Sequence, residues 1–413
     1  MTWRPDHLAV SVTYRPAATG PYMWHEPTPV RAAADLAAIR AAGFESVRLH
    51  LAWDAFMPSD RQVDRYRLRD LEALLQAARE VSLEVVPVLF CQAFGDTIML
   101  PRYAVDRRRP RPGVRVVTDT NVVSGGPRDP WVDPLMLEVE TRWLDTLLDA
   151  FANHPAIAAW DLGHDPAAVA RPRRIAHLEQ WTALMAGRVR ERQDACLLTL
   201  VQDDVLTARG VRLGAVAPHV DGLGLVLEPQ RLSRFAGDAA DVRPAVLVAQ
   251  LALRLAAASG PAPPLLAVIG VASGDEAAPP AAPDLGDDAA PAWEIPPLSS
   301  PLAARHGADL LDRLAAVGVS GVCASAWCDL GVRLLTAPPC DRRPSLARHG
   351  LATTDGSLKP VGEAWSAIAR REPSLSAADP WPDRLDVEDY YAHLRESALD
   401  LWAGWLRERE GEA

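Results

Sequence analysis

The chain is poor in several things that would have decided its class at once. It has five cysteines in 413 residues, an odd number in a long chain, and this does not suggest a disulfide framework. Cys91, Cys196, Cys323 and Cys328 lie in or beside apolar runs, where cysteine acts as a small core residue. The Cys323–Cys328 spacing is too wide for a CxxC pair. No window approaches 18 uninterrupted apolar residues, so no membrane span is expected. Met1 to Asp6 lacks the apolar core of a secretory signal, and a cytoplasmic location is the expectation. Positive charge is in deficit, with 43 Lys+Arg against 54 Asp+Glu and a net charge of −11. That argues against a general phosphate-binding surface, and nucleic acid is not expected as a partner. The one basic run, Arg107-Arg108-Arg109-Pro110-Arg111, is broken by proline and reads as a solvated loop. No HExxH, GxSxG or Walker loop occurs, and no glycine-rich turn follows the first strand. Neither cofactor nor metal is expected. A metal site built on His50, His164 and His219 lacks any ligand spacing.

What the chain does have is alternation. Apolar strand-like runs occur at Leu8–Val12, Ser46–Trp53, Glu84–Phe90, Trp160–Asp165, Leu197–Val201, Leu223–Leu227, Leu265–Val271 and Gly321–Trp327, with helical patterns in most of the gaps. Thr28-Pro29 opens one helix, closed by Gly43, and Asp133-Pro134 opens another, ending near His154-Pro155. Eight such units in about 370 residues fit a single α/β domain, a (β/α)8 barrel with long βα loops. A doubly wound open sheet is the alternative. Residues 1–370 are assigned to the barrel. Residues 371–413 are assigned to a linker and a C-terminal helix from Val387 to about Glu408, anchored by Tyr390, Leu394, Leu399, Leu401 and Trp405. A long polar loop is expected from the third strand to Asp133, and the stretch from Gly274 to Pro297, rich in Ala, Pro and Asp, is expected to be a flexible loop and not a domain linker.

Several phrases carry a resemblance. Tyr14-Arg15-Pro16 with Gly20-Pro21-Tyr22-Met23-Trp24, the segment Asp35 to Trp53, His154-Pro155-Ala156-Ile157 leading into Trp160-Asp161-Leu162-Gly163, Gly318 to Asp329, Pro338-Pro339, and Gly350 to Pro360 stand in one order along nearly the whole chain. Together they resemble glycoside hydrolase family 5 and its clan A relatives, the retaining cellulase and mannanase type. The resemblance implies a carbohydrate partner, β-linked oligosaccharide, and a site at the C-terminal face of the barrel. Retaining cleavage needs two carboxyls about 5 Å apart, one to protonate the leaving oxygen and one to attack the anomeric carbon. The family's acid/base Glu, at the tip of the fourth strand, falls on Asp165 here, and the Asn before it falls on His164. The nucleophile Glu of the seventh strand falls on Val268. The sixth-strand His and Tyr fall on Val226 and Glu228. Other parts of the subsite are kept by the same resemblance: Arg48, which supports the nucleophile, Trp327 as the sugar platform, and Trp53 and Asp329.

Three readings follow. The first is a degenerate barrel that keeps a carbohydrate- or partner-binding cleft without double-displacement hydrolysis. The second is a working β-glycosidase in which Asp165 is the acid/base and Glu228, or a loop acid such as Glu294, replaces the nucleophile; Asp203 and Asp204 are further acids near the fifth strand. The third is a structural or interaction role.

Overall fold

The computed structural model describes residues 7–410, apart from 91, 194, 234–235, 237, 239, 275–296, 377–380 and 382–383. Its centre is a closed barrel of eight parallel strands: β1 (Ala9–Thr13), β2 (Ser46–His50), β3 (Glu84–Phe90), β4 (Trp160–His164), β5 (Cys196–Val201), β6 (Gly222–Leu227), β7 (Leu265–Ile269) and β8 (Gly321–Ala324). Each strand pairs with its sequence neighbours, and β1 closes on β8 with Ala9 opposite Gly321. Helices α1 (Pro29–Ala41), α2 (Arg65–Glu80), α3 (Pro134–Phe151), α4 (Ile175–Arg190), α5 (Leu213–Val216), α6 (Arg243–Ala256), α7 (Ser300–Ala316) and α8 (Pro360–Arg371) link or follow the strands. This is the (β/α)8 barrel, not the open sheet.

The strands are buried on both faces, which is why they read as nearly continuous apolar runs. One set of side chains packs under the helices. The other fills the barrel, where Ala9, Val86, Ala159, Leu197, Leu266, Val268 and Cys323 form a separate apolar cluster. Polar groups share that interior. Arg48, Asp161 and Thr199 are joined there, and Gly224 on β6 makes room for them. A Cβ at Gly224 would come within 2.1 Å of the Thr199 hydroxyl.

Several boundaries differ from the sequence reading. β2 stops at His50, and Trp53 instead opens a short helix, Trp53–Phe56. The eighth run divides: Ala326–Cys328 leaves the barrel and pairs with Gly350–Ala352. Thr28 precedes α1, but its side chain makes no capping bond. Asp133 does cap, accepting the amide of Leu135. The segment before it is no plain loop. Gln92–Phe94, Thr97–Met99, Arg115–Thr118 and Asn121–Val123 form a small sheet over the barrel's C-terminal side. Among the described residues four cysteines are buried and free. No described helix is long and apolar enough to cross a membrane.

The C-terminal extension has a structural reason. α5 is a single turn, so the flank between β5 and β6 lacks a full covering helix. Helices α9 (Val387–Ala392) and α10 (Leu394–Glu410) lie there. Tyr390 donates its hydroxyl to the Val205 carbonyl at 3.0 Å, and the Trp405 indole donates to the Gln250 amide oxygen at 2.8 Å. Leu399, expected as an anchor, is 44% exposed; Trp402 is buried instead.

Candidate active site

In a barrel of this kind the reactive groups stand at the C-terminal ends of the strands. Arg48, on β2, points into the barrel and is fully buried. It donates to Asp161 Oδ2 at 2.6 Å and to Thr199 Oγ at 3.0 Å, and the Thr199 hydroxyl donates to the same Asp161 oxygen at 2.6 Å. The Gly163 amide donates to the other Asp161 oxygen at 3.1 Å. Arg48 thus has its counterion within the barrel wall, on β4, while its Nε and Nη1 make no hydrogen bond.

β4 carries one more residue than β5 between the pairings Asp161–Leu197 and His164–Thr199. Such a bulge re-aims the end of a strand, here the His164-Asp165 tip. His164 meets His50 edge to face, ring centroids 5.3 Å apart. Both imidazoles are held well below their ordinary range, first by burial. The positive charges of Arg15 and Arg48 act in the same direction. Both rings are neutral at pH 7. Arg15 lies over the Phe94 ring at 4.9 Å, and burial lowers its pKa to about 10.

Asp165 has a left-handed backbone (φ 55°) and caps the short helix Pro166–Val169, accepting the Ala168 amide at 3.2 Å. Its carboxylate also takes Arg209 Nη2 at 2.8 Å. The other arm of Arg209 lies 3.2 Å from Asp204, which is wholly buried and accepts the Val201 amide. Burial raises both acids and Arg209 opposes the rise; Asp204 is pushed up to about 7. A half-buried carboxyl and a fully buried one therefore share one guanidinium.

Glu228 follows β6. Its amide is fixed by the Gln202 side chain at 2.8 Å. One carboxylate oxygen accepts from Arg343 at 2.7 Å and the other from Arg231. Burial alone would raise its pKa, but Arg343 and Arg231 hold it at about 2. Beside it a cavity of about 20 Å³, bordered by Arg343, His349 and Gly270, has room for water but not for a pyranose. A Cβ at Gly270 would sit 3.1 Å from the His349 ring, so glycine at the end of β7 lets that histidine pack in. Val268, two residues earlier, is 1% exposed and stands in register with Val226 and Cys323.

The remaining sequence candidates have structural partners. Trp327 is 2% exposed and meets Phe44 edge to face. Trp53 is buried against Phe90 and Tyr103. Neither ring presents a free face. Asp329 accepts from Lys359 Nζ at 3.0 Å and from the Gly350 amide at 3.0 Å, tying the end of the eighth run to the closing segment. Glu294 lies outside the described residues. His219 precedes β6, at the opposite end of the barrel, 3.8 Å from Glu179. Sequence reasoning missed Arg209, Arg231, Arg343 and His349. Only their sequence proximity to the fifth, sixth and eighth runs could have suggested them. The one cluster with metal-like crowding among the described residues is His25, Asp54 and Asp119. Asp54 already bonds the His25 ring and accepts the Asp119 backbone amide, and the Asp119 carboxylate pairs with Arg102 at 2.9 Å.

No family model matches the chain, and no curated protein does. Solved structures do match. The exo-β-1,4-mannosidase Op5Man5 from Opitutaceae bacterium strain TAV5 superposes with a TM-score of 0.68 at 21% identity, over 89% of this chain and 60% of that one. This chain therefore spans less than two thirds of that enzyme. The GH5_18 protein from Streptomyces cattleya, solved with GlcNAc, gives 0.69 at 19% identity, over 91% and 82%. The fold is that of the glycoside hydrolase family 5 barrels. GH5_18 from Bifidobacterium longum subsp. infantis matches similarly, with a TM-score of 0.67 at 18% identity, over 90% of this chain and 80% of that one.

Proposed function

We propose that this chain is a family 5-like barrel that binds carbohydrate and no longer performs retaining hydrolysis. The observation that carries the reading is Val268, a buried valine in the barrel's apolar cluster at the seventh-strand position where a nucleophile would stand. A hydrocarbon side chain cannot form a glycosyl ester. Its surroundings agree: Arg48 pairs with Asp161 instead of supporting a nucleophile. Glu228 is held ionised between two guanidiniums, and Asp165 caps a helix under Arg209. The carbohydrate part rests on the fold and on neighbours solved with GlcNAc and Manβ1-4GlcNAc. Four buried free thiols suit a reducing, cytoplasmic setting.

A second reading has one specific observation in its favour. Burial pushes Asp204 up to about 7 beside Asp165, and a carboxyl that keeps its proton near neutrality is what a general acid needs. Trapping decides between the two. An activated 2-deoxy-2-fluoro-mannoside esterifies a retaining nucleophile and stalls there. Intact-mass spectrometry is expected to show unmodified protein after prolonged incubation. An adduct mapped to Glu228 or Glu294 would mean a rebuilt active site.

A further inference from the structure

On the C-terminal side of the barrel, the β3–α3 and β4–α4 loops enclose an open depression of about 1100 Å³. Seven arginines and three aspartates line it, in a chain whose net charge is −11. The aspartates are committed. Asp133 caps α3 and takes Arg128 at 2.7 Å, Asp129 accepts the Trp131 amide, and Asp106 accepts the Arg108 amide with Arg109 3.8 Å away. Arg111 donates to the carbonyls of Ala168 and Val169, both at 2.7 Å, so the depression abuts the short helix that Asp165 opens. That leaves Arg107, Arg108, Arg171 and Arg173, all exposed and with no ion-pair partner among the described residues. Four guanidiniums around one hollow repel one another, and an anion placed among them relieves that repulsion.

We infer that this depression binds an acidic oligosaccharide whose sugars carry carboxylates, a uronate-containing glycan. The inference rests on the carbohydrate-binding reading above and adds to it the ligand class and the place. The donor type fits: the chain's only lysine, Lys359, is buried on Asp329, so its exposed side-chain cations are guanidiniums, whose planar fork matches a carboxylate in two bonds. The walls fit as well. Val105, Pro112, Val114 and Pro127 offer small apolar surfaces for the CH faces of a pyranose. Among the described residues no aromatic ring lines the hollow, so nucleobases would find no stacking platform there.

The test is calorimetric titration of the full chain with hexagalacturonate, neutral mannohexaose, a carrageenan-derived hexasaccharide, which carries sulfates but no carboxylates, and a single-stranded DNA hexamer. The same titrations are run on a variant combining Arg107→Ser, Arg108→Ser, Arg171→Ser and Arg173→Ser. These side chains are exposed, so an unchanged melting temperature is expected to show that the variant folds. Hexagalacturonate is expected to bind at least tenfold more tightly than mannohexaose, to weaken with added salt, and to lose that advantage in the variant. Tighter binding of the sulfated, carboxylate-free fragment or of DNA would overturn the carboxylate assignment. Mannohexaose binding as tightly as hexagalacturonate, unaffected by the variant, would overturn this site while leaving the carbohydrate-binding reading intact. No binding of any glycan would overturn that reading itself.

Discussion

Replacing Arg48 by Met is the perturbation whose cost the structure defines best. Arg48 and Asp161 form a 2.6 Å ion pair with side chains 1% and 0% exposed, and Thr199 binds both. Removing one member of a buried pair leaves a charge without a partner, which costs about 3–5 kcal/mol. Unfolding entropy near the midpoint is about 2.1 cal/mol/K per residue, so 413 residues give ~0.9 kcal/mol/K. The melting temperature is therefore expected to fall by about 3–6 °C. Met fills nearly the volume of Arg, so the loss is electrostatic and not a cavity. The double variant Arg48→Met, Asp161→Leu removes both charges and should recover most of the fall, because an apolar replacement for a buried pair is often neutral or better. Differential scanning calorimetry of the three variants closes the cycle. A single Arg48→Met change without effect, or a double variant as unstable as the sum of the singles, would refute the idea that this arginine now serves the barrel wall.

Acid and neutral pH should act on two different groups. Glu228 is depressed to about 2, so its contribution is present above its unfolded pKa and is lost as pH falls from about 4.5 toward 2; Glu228→Gln should flatten that limb of a stability–pH curve. Asp204 is raised to about 7, so its contribution is full below about 3.8 and is lost as pH rises toward 7; Asp204→Asn should flatten the loss between pH 4 and 7 in chemical denaturation. Gly224→Ala would drive a methyl to 2.1 Å from the Thr199 hydroxyl, which Arg48 and Asp161 hold in place, and overpacking of about 1–3 kcal/mol should lower the melting temperature by ~1–3 °C. Tyr390→Phe leaves the Val205 carbonyl without its donor, and a loss of about 1–3 kcal/mol, read by thermal melting, would tie α9 to barrel stability.

The barrel was legible because its strands are buried on both faces and their lengths show as apolar runs; β3 runs from Glu84 to Phe90 in both readings. The readings parted where chain direction changes without a change in hydrophobicity. Trp53 and Trp327 are apolar enough to extend their runs, yet one opens a helix and the other joins an outer strand pair. The small sheet between residues 92 and 123 uses strands of three or four residues, too short for periodicity to mark. At the mouth, the sequence pointed to Asp165 and Glu228 but not to what holds them. Arg209 reaches Asp165 across 44 positions, and Arg343 reaches Glu228 across 115. No local pattern records such pairs. The Arg107–Arg111 run read as a solvated loop, and only folding brings Arg171 and Arg173 to the same hollow.

Turnover decides whether this barrel still hydrolyses a glycoside. Purified chain at micromolar concentration would be incubated for days with aryl β-mannoside, aryl β-glucoside and Manβ1-4GlcNAc, beside an Asp165→Ala control, with released product quantified. No release above the control is expected from protein that remains folded. Hydrolysis that disappears in Asp165→Ala would contradict that expectation and would identify a working glycosidase built on different carboxylates.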